Sequence, residues 1–114
     1  MLKISQQVMD RFEAEASLRA VCWHQERLLA RFPELLASPT AAQHDFAKRN
    51  RLSAIALNIE QEEDIATFLD CAVMYGEKFM QEPWAREILD EPGISGEGRA
   101  ELLRQALVEI GISL

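Results

Sequence analysis

Residues 60–76 read Glu-Gln-Glu-Glu-Asp-Ile-Ala-Thr-Phe-Leu-Asp-Cys-Ala-Val-Met-Tyr-Gly. The acids Glu60, Glu62, Glu63 and Asp64 stand where a helix N-terminus favours negative charge. From Ile65 to Tyr75 the chain is then apolar nearly all round. A helix with no solvated face belongs at the centre of a core, so this segment predicts a buried hub around which other helices pack. Gly76 stops it.

The flanking segments carry the helices that would surround this hub. Towards the N-terminus, about Thr40 to Leu57 reads as a helix with Leu52, Ile55, Ala56 and Ile59 at i, i+3, i+4 and i+7. Lys48, Arg49 and Arg51 form a basic turn before that stripe. Asn58 suits a left-handed C-cap, with Ile59 packing back after it. The first helical region runs from about Ser5, a suitable N-cap, to Phe32. Its apolar positions form two stripes, one of Ile4, Val8 and Phe12 and one of Leu18, Val21, Cys22, Leu28, Leu29 and Phe32. The two are slightly out of phase, which fits either one long helix with a bend near Ala16-Ser17 or two helices meeting there; one helix is favoured. Pro33 and Ala37-Ser38-Pro39-Thr40 form the connection to the second helix.

Beyond Gly76, a loose connection leads to a short helix of about Pro83 to Asp90, with Pro83 in the first turn, where a missing N–H costs nothing. Glu91-Pro92-Gly93 is a turn. Ser95 caps a last helix that reaches about Ile110 and buries Leu103, Ala106, Leu107 and Ile110. No segment alternates with the period of a strand. The expected fold is all-α, a single domain built as a small bundle of four main helices plus one short one. A length of 114 residues and 48% apolar content fit one core of that kind.

The net charge of −7 makes nucleic acid and anionic membranes poor partners and suits a basic protein partner. No apolar run reaches the ~20 residues of a membrane span, and the first residues lack the apolar core of a signal peptide, so a cytoplasmic protein is expected. Cys22 and Cys71 sit in apolar helical stretches and read as two buried thiols. His24 reads as a residue on the flank of the first helix, and His44 as one in the polar start of the second. Neither has metal-ligand spacing, and no phosphate loop, EF-hand or nucleophile motif appears, so no cofactor, metal or catalytic residue is expected. Between Arg51 and Lys78 no basic residue occurs. Glu60, Glu62, Glu63, Asp64, Asp70 and Glu77 therefore form a candidate acidic surface able to steer a basic partner. Trp84 and Arg86 are of the residue types enriched at the energetic centres of interfaces, although Trp84, Ile88 and Leu89 equally suit pinning the short helix to the bundle.

Tyr75-Gly76, Phe79, Pro83-Trp84-Ala85, Ile88-Leu89, Pro92 and Ser95 together resemble a group of small helical bacterial proteins encoded beside type VI secretion effectors. The likeness spans roughly residues 45–105 and departs from the group at Asn58, where glycine is usual, and in a shorter connection before Pro83. The resemblance implies a binder without chemistry of its own: first an immunity protein that neutralises a cognate toxin, a reading that the acidic surface favours, and as the alternative an adaptor or chaperone that loads an effector. A homo-oligomeric bundle pairing through apolar positions of the first helix is the expectation from a different class.

Overall fold

A computed structural model describes residues 6–111. Five α-helices follow one another: α1 Gln6–Arg31, α2 Thr40–Ala56, α3 Glu62–Tyr75, α4 Pro83–Leu89 and α5 Gly96–Glu109, with 3₁₀ turns at Pro33–Ala37 and Phe79–Gln81. The described residues contain no strand, and four long helices plus one short one make up the bundle. Ile4 and the Ser5 cap lie outside the described residues.

The apolar segment after the acids is the hub that its composition predicts. Ile65 to Ala72 are all buried, and α1, α2 and α5 pack around them. Phe68 is fully enclosed and meets Phe79 with ring centroids 5.0 Å apart. Phe79 thereby anchors the connection after Gly76, which is packed rather than loose. Gly76 turns the chain with φ 98°, a region that favours glycine.

The two caps expected from sequence form. At the end of α2, Asn58 adopts φ 65°, and its N–H donates to the Ile55 carbonyl. The Ile59 N–H reaches back to the Ala54 carbonyl while the Ile59 side chain is buried, which together make a Schellman cap. At the start of α5, the Ser95 hydroxyl accepts the Gly98 N–H at 3.0 Å. These two ends lie against each other. A Cβ on Gly96 would run into the Asn58 carbonyl, so only glycine permits this approach. The buried Arg99 completes the junction by donating to the Leu57 and Glu91 carbonyls.

Several expected core positions face solvent instead. On α2 the buried residues are Ala47, Asn50 and Ala54, so Leu52, Ile55 and Ala56 turn outward. Two alanines let α2 approach its neighbours closely, and Asn50, bonded to the Phe46 carbonyl and to Glu77, sets the helix rotation. On α1 only Val21, His24 and Leu28 are buried, and every residue from 6 to 19 is exposed, including Val8, Phe12 and Leu18. α1 is one continuous helix whose first half is exposed, with Ala14, Ser17 and Leu18 running alongside α2. Cys22 is exposed, contrary to the expectation of two buried thiols, whereas Cys71 is enclosed. In α5, Leu103 and Leu107 are buried and Ile110 is exposed.

Phe68→Ala is expected to cost about 3–5 kcal/mol, the range for deleting a fully enclosed aromatic ring. Denaturant unfolding measures this, and a loss under about 1 kcal/mol would show that α3 is not the hub.

Candidate functional site

The acidic residues of and around α3 are mostly turned to internal use. Asp70 is fully buried and accepts both guanidinium nitrogens of Arg27 at 2.8 Å, while Arg31 approaches its other side at 3.2 Å. Glu62 takes the Arg51 guanidinium at 2.8 Å and His24 Nε2 at 3.2 Å. Asp64 holds Arg104 at 2.8 Å and keeps its guanidinium pKa above the ordinary arginine value. Glu77 accepts from Arg49 and from Asn50. The gap in basic residues between Arg51 and Lys78 is real in the sequence but is closed in space. α1, α2 and α5 each supply arginines to it. The expected uncompensated acidic surface is thus corrected: Asp70 is inaccessible, and Glu62, Asp64 and Glu77 are neutralised. Glu60 and Glu63 remain exposed, and neither forms an ion pair among the described residues. The spacing of Arg27 and Arg31, one helical turn apart on α1, is the sequence signal that anticipates the buried carboxylate opposite them.

Trp84 and Arg86 part company. Trp84 is half-buried, its ring packed on Tyr75 at 4.7 Å and on Phe79 at 6.1 Å. It pins α4 to the bundle rather than standing out as an anchor. Arg86 is exposed and pairs with Asp90 at 3.2 Å, an exposed helical pair worth little to stability.

His24 is a core residue, not a flanking one. Its ring is fully enclosed, and burial pulls its pKa below 6.5 despite the neighbouring Glu62 carboxylate. A neutral ring donating from Nε2 to Glu62 leaves Nδ1 as a buried atom without a hydrogen-bond partner. Cys71 is likewise sealed, its thiol pKa pushed up to about 12 by desolvation. The His24 ring and the Cys71 thiol are therefore closed to substrate.

What stays open is a groove between α1 and α2. It encloses about 430 Å³ and is lined by Leu18 and Val21 from α1 and by His44, Lys48, Arg51 and Leu52 from α2. Leu18 and Leu52 are each more than half exposed. Lys48 is exposed and forms no ion pair among the described residues. The groove thus offers an apolar floor with a basic rim, the opposite sign to the surface expected from sequence. Sequence reasoning missed it because Leu52 reads as a core position. The signal was the run Lys48-Arg49-Asn50-Arg51, whose charges share the same helix turns as the leucine.

Comparison with known proteins finds no family model, no curated relative and no solved structure that matches the chain.

Two outcomes follow from these contacts. Removing both cations by Arg27→Met with Arg31→Met strands a buried carboxylate and is expected to cost about 3–5 kcal/mol, most of it recovered on adding Asp70→Leu. Denaturant midpoints of the double and triple variants check this, and a triple variant no better than the double would contradict it. The His24 pKa is lowered on folding, so its contribution is complete above pH 6.5, the value in the unfolded chain, and is lost as pH falls below it. The stability advantage of the natural protein over His24→Asn is therefore expected to shrink as the pH drops from neutral to about 5. A gap independent of pH would show that the ring is not held neutral.

Proposed function

We propose that this chain is a non-catalytic accessory that binds a protein partner, and that it does so by seating an apolar segment carrying a carboxylate in the groove between α1 and α2. The observation that carries this reading is the groove itself: Leu18 and Leu52 exposed opposite one another, with Lys48 at the rim. Apolar side chains supply the affinity of helix-in-groove recognition, and a rim charge sets orientation and on-rate. Sealing of His24 and Cys71 in the core supports a binding role over a catalytic one.

The resemblance to accessories of type VI secretion effectors gives the class of partner, a secreted effector, and the groove favours an adaptor or chaperone over a neutraliser. Toxin neutralisation through an acidic surface retains one specific support, the exposed pair Glu60 and Glu63.

Affinity capture with the tagged chain, repeated with Leu52→Glu and with Glu60→Lys plus Glu63→Lys, tests the choice. The groove reading expects one partner at fixed stoichiometry, lost with Leu52→Glu and retained with the lysine pair. Loss with the lysine pair alone would favour neutralisation through the acidic residues. Equal capture by all three chains would overturn both.

A further inference from the structure

The exposed part of α1 carries a second feature, on a different side from the groove. Phe12, Glu15, Arg19 and Cys22 recur at alternating spacings of three and four residues, which places them on one face of the helix. All four are exposed, and Phe12 is 59% accessible. Among the described residues nothing covers this side, and Glu15 and Arg19 make no ion pair.

We infer that this seam pairs with the same seam of a second copy of the chain, antiparallel, about a two-fold axis midway between Glu15 and Arg19. The argument is self-complementarity. In that register each Glu15 meets the second copy's Arg19, so the two ion pairs form at the centre of the contact. Each Phe12 meets the second copy's Cys22, and Met9 reaches Trp23, both exposed in the single chain. Sulfur against an aromatic ring is a favourable contact in each case. A two-fold interface requires that a residue and its partner exchange roles between copies, and this seam meets that condition. A parallel two-fold pair is disfavoured electrostatically, because Glu15 would face Glu15 and Arg19 would face Arg19. A lipid surface is a poorer occupant, since the seam is interrupted at its middle by the Glu15 carboxylate.

A single helix pair buries less than the ~1,600 Å² of a standard interface, so the dimer should dissociate on dilution. Sedimentation equilibrium of the full chain over a concentration series reads it directly. The average mass is expected to rise from 12.9 kDa towards twice that value. Glu15→Arg places four cations at the centre and should hold the mass at the monomer value, while Glu15→Arg with Arg19→Glu restores the rise. Circular dichroism confirms folding, which these exposed sites should leave intact. Phe12→Cys, with the native Cys22, should give a disulfide-linked dimer on mild oxidation. The natural chain should not, because its two Cys22 residues would lie about 15 Å apart along the axis. A mass of 12.9 kDa at every concentration, a dimer indifferent to Glu15→Arg, failure of the double exchange to restore association, or linkage of the natural chain through Cys22 would each overturn the proposal. None of these substitutions touches Leu52 or Lys48, so the outcome is separate from that of the groove.

Discussion

The rotation of α1 about its axis is set by the fork of Arg27 on Asp70, and much of the surface follows from it. Asp70 lies in the stretch 65–72 of α3, buried on every side, so its charge is tolerable only with cations brought to it. Arg27 and Arg31 come from the last turns of α1, and holding both against one carboxylate leaves that helix a single orientation. Val21, His24 and Leu28 then face inward. The apolar residues earlier on the helix face out or along the groove beside α2.

The same logic recurs around the hub. Glu62 and Glu77 draw cations from α2 and Asp64 draws one from α5, and His24 joins the Glu62 pair from α1. Such pairs add less to net stability than their number implies, since each buried charge loses its water. Their effect is directional. They choose among the rotations that apolar packing alone would leave nearly equivalent. This accounts for the outward Leu52: the side of α2 that carries Asn50 and Arg51 must meet Glu77 and Glu62, and the leucine is carried to the far side.

The elements and their ends were legible because they depend on local chemistry. Gly76, Asn58 with Ile59, Pro83 and Ser95 each act within a few residues of the chain, and each acts as its type predicts. The hub was legible from its lack of a polar face. The faces of α1 and α2 were not, since apolar periodicity reports what can be buried and not what is. Phe12 and Leu52 obey helical spacing as well as Val21 does, and only the long-range ion pairs decide between them. The acidic surface failed for the same reason. A run without basic residues is a property of one dimension, and the cations that neutralise Asp70 lie some forty positions away along the chain.

The first half of α1 is thinly supported. An isolated segment of that length is marginal in water, and among the described residues its contacts are confined to the side beside α2. Such a segment is sustained most simply when something lies against it. Both sides of α1 that remain open, the groove beside α2 and the outer seam, offer contacts that would extend the folded core along the helix. Any occupant that binds only the ordered form stabilises it in proportion to its own affinity and concentration. Folding of the first half of α1 and recognition by it are then one equilibrium, in which the residues that the bundle leaves uncovered are the ones that the partner completes.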